Sequence, residues 1–272
     1  MGNFRKNKRT ASTARGRVDK AQNQLLKGMK KDIDELKSSI ETKYSYQIIS
    51  SVGIQSYDGS NDTTRQQGIY AIGIGDTQGV TDSNQRIGDK VSLKHIDFNY
   101  RLNLDPAILQ ASFTVAQTTV RVMMFWDNQP TAIDAQGAMV TNPVYWNTLL
   151  HTCVPGTTLN PQKIQDLMSE KDWDQRKRFS IIYNKYHTLI PTVATAPVVI
   201  GQGPRSGTSV VQYSKNYKGQ SIRYVSSGTK AQNRQLYVAF LSDSPNAIPG
   251  PPVQKPALAI GSFAVRTLYE DA

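Results

Sequence analysis

The stretch Lys90-Val91-Ser92-Leu93-Lys94-His95-Ile96-Asp97-Phe98-Asn99-Tyr100-Arg101-Leu102-Asn103-Leu104 decides the fold class. Apolar and polar residues alternate along it, which sets one side in a core and the other in water, the pattern of a half-buried β-strand. The alternation changes phase once. Val91 and Leu93 share one parity, while Ile96, Phe98, Tyr100, Leu102 and Leu104 share the other. A bulge or bend is therefore expected near Lys94-His95.

Outward from this strand, period-two runs recur from Tyr46 onward, separated by Gly, Pro, Asn and Asp clusters. Besides Val91 to Leu104, the candidate strands are Gln47 to Ser56, Gly68 to Ile74, Thr118 to Trp126, Arg178 to Tyr186, Pro197 to Ile200 with Ser209 to Tyr213, Gln220 to Val225, Gln235 to Leu241 and Ile260 to Tyr269. One helix is expected inside this region, at Val144 to Leu150, with a second turn at Pro161 to Met168. Long strands joined by lengthy connections favour two four-stranded sheets, an all-β, eight-stranded jelly-roll β-sandwich, over an up-and-down barrel. The expected organisation is a basic disordered arm over residues 1–17, an amphipathic helix over 18–44 and one β-domain over 45–272, a length that single sandwiches reach.

Charge is not spread evenly over this plan. Residues 1–43 hold twelve Lys and Arg against five acids, a net of +7 out of the chain's +11. Arg5, Lys6, Lys8, Arg9, Arg15 and Arg17 come before the first carboxylate, in a segment with too few apolar residues to fold alone. Such a segment suits phosphate, and Lys20, Lys27, Lys30 and Lys31 continue it. A nuclear-import signal or a solubilising tail has the same composition.

Leu26, Met29, Ile33, Leu36 and Ile40 follow at spacings of three and four, one stripe of an α-helix. Lys30 with Asp34 and Lys31 with Glu35 give i,i+4 support on the other face. The stripe fits a helix packed under the domain, a short heptad seam that pairs with copies of itself, or a membrane-surface helix.

Composition narrows the chemistry. Cys153 is the one cysteine, so no intrachain disulfide framework exists; with His95, His151 and His187 it makes no closed zinc site. The longest purely apolar run, Val122 to Trp126, is too short to span a bilayer, and no apolar signal core follows the N-terminus. Lys6 stands where a myristoylation motif after Gly2 needs Ser or Thr. Asn61-Asp62-Thr63 is a formal glycosylation sequon without a secretory context. Gly73 to Gly79 echoes a dinucleotide fingerprint, but its spacing is off and no helix follows, so a loop is expected. His151 and Cys153 lack a third orienting group, and no hydrolase, zinc-protease or P-loop signature occurs; no enzyme activity and no required cofactor is expected. Arg121, inside an apolar strand, is read as extending its head to water in preference to pairing across a subunit contact. Asp127 is read as capping the turn that Asn128-Gln129-Pro130 begins, and Gly88 as making a tight bend before the long strand.

Four stretches, taken in order, carry a resemblance. They are Asn84-Gln85-Arg86-Ile87-Gly88-Asp89-Lys90-Val91, Val120-Arg121-Val122-Met123-Met124-Phe125-Trp126-Asp127-Asn128-Gln129, Arg176-Lys177-Arg178-Phe179-Ser180-Ile181-Ile182-Tyr183 and Tyr269-Glu270-Asp271-Ala272. From about Gly68 to Ala272 the chain resembles the single jelly-roll capsid proteins of small icosahedral viruses, the group shared by the satellite tobacco necrosis virus coat protein and the capsids of Rep-encoding circular single-stranded DNA viruses. The resemblance implies a virion protein, assembled in the host nucleus or cytoplasm. Its shell is expected to be icosahedral (T=1), with on the order of sixty copies. The implied partners are copies of itself, an unknown host receptor and packaged single-stranded nucleic acid, DNA favoured over RNA. It also implies a structural calcium ion between subunits, held by Asp271 and the backbone oxygens of Ile87 and Lys90, and helices gathered through Leu26, Met29, Ile33, Leu36 and Ile40. The reading from another class is a non-viral β-sandwich module with a basic tail that binds nucleic acid or carbohydrate.

Overall fold

A computed structural model describes residues 22–33, 42–52, 54–56, 68–79, 85–104, 118–150, 170–190, 208–225, 229–242 and 259–271. The chain divides into two compact units, Met1–Thr42 and Lys43–Ala272. In the first, residues 22–33 form a helix, α1, exposed along its described length.

The second unit is built from strands. They are β1 (Thr42–Val52), β2 (Gln55–Ser56), β3 (Ile69–Ile72), β4 (Lys90–Leu104), β5 (Thr118–Asp127), β6 (Thr131–Ile133), β7 (Met139–Thr141), β8 (Phe179–Leu189), β9 (Thr208–Arg223), β10 (Gln235–Ser242) and β11 (Ala259–Asp271), with one short helix, α2 (Trp146–Leu149), between β7 and β8. One sheet runs β1-β11-β4-β9 and the other β2-β10-β5-β8, with β3 paired to β10 as well. β2 meets residues 241–242 of β10 in parallel and β3 meets residues 236–239 antiparallel. β6 and β7 form a separate hairpin.

Set aside β2 and that hairpin, and number the remaining eight strands in order. The sheets then read 1-8-3-6 and 2-7-4-5. Every connection switches sheets except that from β5 to β8, and this is the jelly-roll arrangement. The second sheet carries β2 beyond the four strands expected.

The core explains the long strand. Val91, Leu93, Ile96, Phe98, Tyr100, Leu102 and Leu104 of β4 all point inward and are buried, against Val122, Met124 and Trp126 of β5 and Phe263 and Val265 of β11. Each large side chain withdrawn this way contributes about 1.5–3 kcal/mol before the entropy of ordering is set against it. The expected phase change is present. Toward β11, Leu93 and His95 face the consecutive residues Tyr269 and Leu268, so Lys94 is the extra residue. Toward β9, Leu93 and His95 face Gln220 and Asn216, leaving Tyr217, Lys218 and Gly219 opposite Lys94. Gly219, at φ 76, supplies the left-handed step that this second irregularity needs.

β5 is buried on both faces. Its second face, Met123 and Phe125, packs with Phe179, Ala239 and Leu241 under Val144, Trp146, Leu149 and Leu150, so α2 and its flanks form a lid over the outside of that sheet. This lid is why Val122 to Trp126 reads as an unbroken apolar run.

Three expectations need correction. Ser209 to Tyr213 and Gln220 to Val225 belong to one continuous strand, β9; the polar run Ser214-Lys215-Asn216 that hid this lies on an edge strand with a bulge. β1 starts at Thr42 rather than Gln47, inside the stretch expected to be helix over 18–44, and its first inward positions, Lys43, Ser45 and Gln47, are polar and so hid the start. Gly88 does lie in a bend directly before β4, and the glycines with positive φ among the described residues are Gly68, Gly75, Gly137 and Gly219. At this end of the sandwich the left-handed glycine is Gly75, where an added Cβ would stand 2.9 Å from the Tyr269 ring. Arg121 does not reach water: it is 3 % exposed, donates from Nε to Asn184 Oδ1 at 2.9 Å and lies 5.3 Å from the centre of the Tyr186 ring. Pro197 to Ile200 and Pro161 to Met168 lie outside the described residues.

Candidate functional site

Arg5, Lys6, Lys8, Arg9, Arg15, Arg17 and Lys20 lie outside the described residues, as do Leu36, Ile40, His151 and Cys153. Lys27, Lys30 and Lys31 fall on α1, exposed, as do Leu26, Met29 and Ile33. Among the described residues no helix is long and apolar enough to cross a membrane.

Asp271 and Ile87 do come together, though not as ligands of a metal. The Lys43 ammonium sits 2.7 Å from Asp271 Oδ2 and donates to the Gln85 carbonyl at 2.8 Å. Ile87 turns its N–H toward the same carboxylate, 3.3 Å from both oxygens, while its carbonyl accepts from Gln78 Nε2 at 2.9 Å. Lys90 begins β4 opposite Arg223. A hard cation needs six or more oxygens, and here a buried ammonium already occupies the cation's place. Asp271, Ile87 and Lys90 therefore do not fit a calcium ion, and among the described residues no group of three or more His, Cys, Asp or Glu is placed to hold a metal. What the residues make is a clasp between the first strand and the last. Arg86 backs it: fully buried, it donates to the Gly88 carbonyl and lies 4.3 Å from the centre of the Tyr224 ring.

The buried pair between Asp127 and Arg178 escaped the sequence reading. Asp127 does cap its turn, accepting from Gln129 N at 2.9 Å. It also accepts from Arg178 Nε at 3.1 Å and Nη2 at 2.8 Å, and the same Nη2 donates to the carbonyls of Asn142 and Pro143. One guanidinium thus joins β5, the turn before β8 and the chain leaving the β6–β7 hairpin. The signal was present in Arg176-Lys177-Arg178-Phe179, where an arginine directly precedes an apolar strand.

At the open side between β8 and β9, His187 bonds to Tyr100 Oη through Nε2 and to Ser209 Oγ through Nδ1, and Tyr100 Oη meets Tyr183 Oη at 2.7 Å. Burial, and after it the nearby Lys185, holds the imidazole below its ordinary value. The unfolded chain thus takes up this proton more readily than the folded one, so stability is full above about pH 6.5 and is lost as pH falls below it. His95 works in the opposite sense: its hydrogen bond to Asp97 raises it against the effect of burial, so its contribution is full in acid and fades as pH rises. We expect His187→Gln to reduce the fall in Tm between about pH 7.5 and pH 5. An equal fall in both proteins would remove His187 as the cause.

The outer face of the β1-β11-β4-β9 sheet breaks the usual pattern. On β1 the first three inward positions are Lys43, Ser45 and Gln47, before Ile49 packs on the core; Ser45 Oγ donates to the Gly73 carbonyl at 3.0 Å, Gln47 Nε2 donates to Ala71 O at 3.3 Å and Gln47 Oε1 accepts from Gly73 N at 3.2 Å. Outward point Tyr44, Tyr46 and Ile48, at 46, 56 and 61 % exposure. Tyr44 and Tyr46 line a groove with Asp97, Asn99, Ala264 and Arg266. A second groove shares Asn99 and Ala264 and continues past Ile48 to Arg101 and Gln212. Both carboxylates of this face have partners: Glu270 lies 2.7 Å from Lys94 Nζ, and Asp97 lies 2.8 Å from His95 Nε2. Burial alone would raise the Asp97 carboxyl, but hydrogen bonds from His95 and Ser214 hold it below the usual carboxylate range.

No family model and no curated protein matches this chain.

Proposed function

We propose that the chain is a viral capsid subunit that assembles with copies of itself into a closed icosahedral shell and packages single-stranded nucleic acid, DNA in preference to RNA, through its basic N-terminal segment. The observation that carries this reading is a jelly roll with sheet orders 1-8-3-6 and 2-7-4-5, preceded along the chain by residues 1–43 with a net charge of +7. The domain has the jelly-roll architecture that viral capsid and lectin domains use, and the segment has the charge to hold phosphate without reading sequence. About sixty copies of that segment bring about +420, enough to offset several hundred phosphates by counterion release. Expression of the full chain followed by negative-stain microscopy tests it. Uniform closed particles are the expected result; a monomer that binds nucleic acid without forming particles would favour a β-sandwich binding module instead.

The helix has a part in this reading. The exposed stripe Leu26, Met29 and Ile33, continued in sequence by Leu36 and Ile40, pairs with symmetry-related copies beneath the shell. Replacing Ile33 and Ile40 by Asp is expected to lower particle yield severalfold while the Tm of the isolated subunit stays within a few degrees, because charge in a helix seam opposes association and leaves the sandwich core untouched. Unchanged yield in size-exclusion chromatography would count against this role.

A further inference from the structure

We infer that the outer face of the β1-β11-β4-β9 sheet is a binding track for single-stranded nucleic acid, with Tyr44 and Tyr46 stacking on bases and Arg266 and Arg101 meeting phosphates. The inference rests on the packaging reading and extends it from the arm to the folded domain. Its starting point is the inverted pattern of β1. A strand that turns Lys43, Ser45 and Gln47 inward and leaves Tyr44, Tyr46 and Ile48 in water departs from the apolar-in, polar-out alternation of β4, and such local departures mark places shaped by function.

The surroundings point to the ligand. Asn99 and Arg266 share the groove of the tyrosines, and the neighbouring groove adds Arg101 and Gln212 beside the exposed Ile48 and Val210. Exposed rings beside guanidiniums and amides are what a single strand needs: each ring offers a face to any base, and each guanidinium a fork to a phosphate. Lys94 and His95 hold the two carboxylates of the face, which limits their repulsion of a polyanion.

The test uses the full chain and a fluorescein-labelled oligonucleotide of about twenty thymidines, with affinity read by fluorescence anisotropy from about 50 to 200 mM salt. Tyr44→Ala with Tyr46→Ala is expected to weaken binding at least about tenfold and to leave the slope against salt unchanged, because stacking releases no counterions. Replacing Arg5, Lys6, Lys8 and Arg9 by Ser is expected to flatten that slope. Tyr44→Leu with Tyr46→Leu, which keeps the bulk and removes the rings, should resemble the alanine pair, and Tyr44→Phe with Tyr46→Phe should recover most of the affinity. An oligonucleotide carrying 5-iodouracil is expected to cross-link to the peptide that contains Tyr44 and Tyr46. If the alanine pair binds like the parent while the arm variant binds weakly, the track is overturned and packaging by the arm stands. If the parent itself does not bind, both readings fall. Should the alanine pair bind normally but no longer form particles, the face belongs to a contact between copies and the inference is wrong.

Discussion

Replacing Arg178 by Ala is expected to destabilise the sandwich by about 3–5 kcal/mol, the usual cost of leaving a buried charge without its partner. Asp127 has no exposed surface and takes two of its hydrogen bonds from this one guanidinium. The substitution also strands the carbonyls of Asn142 and Pro143, and it removes the guanidinium that lies 4.7 Å from the centre of the Phe179 ring. Removing both partners, Asp127→Ala with Arg178→Ala, should cost less than the single arginine change, since the unpaired carboxylate goes with it. Urea unfolding followed by fluorescence measures both. A loss below about 1 kcal/mol in the single variant would mean that the carboxylate finds water once the arginine is gone.

Deleting residues 1–17 is expected to leave particle formation intact while the nucleic-acid content of the particles falls to near that of empty shells. The segment contributes Arg5, Lys6, Lys8, Arg9, Arg15 and Arg17, no carboxylate and little apolar surface, so its loss takes away phosphate affinity and little folding energy. The ratio of absorbance at 260 and 280 nm on purified particles reads this directly. A ratio equal to that of the full chain would place packaging elsewhere, and the tyrosine face would be the first surface to test.

Much of the architecture was legible because its strands are half-buried and alternate. The phase change at Lys94-His95 is the clearest case: parity alone located an irregularity that the register shows on both neighbours of β4. The hidden parts have physical reasons. β9 was split because an edge strand with a bulge has no need of apolar residues through its middle, and β6 and β7 are too short to show a period. The start of β1 was missed because its pattern is inverted, with Lys43 turned in and Tyr44 turned out. At the candidate sites, the resemblance brought Asp271 and Ile87 into view, but Lys43, 228 positions away in sequence, decides the chemistry there. Long-range pairs such as Asp127 with Arg178 leave no local period, so a single sequence shows the residues without showing that they meet.

The place of β11 between β1 and β4 bears on how the chain comes to be folded. The last strand along the sequence is an interior strand of its sheet, so β1 and β4 have no common neighbour until residues 259–271 have been synthesised. The β5–β8–β10 strands and the β4–β9 pair are able to form beforehand; β1 waits. Closure of so large a loop slows folding, and it keeps β1 unpaired until β11 has been made. A nascent or prematurely terminated chain therefore lacks both the closed sheet and the Lys43–Asp271 clasp.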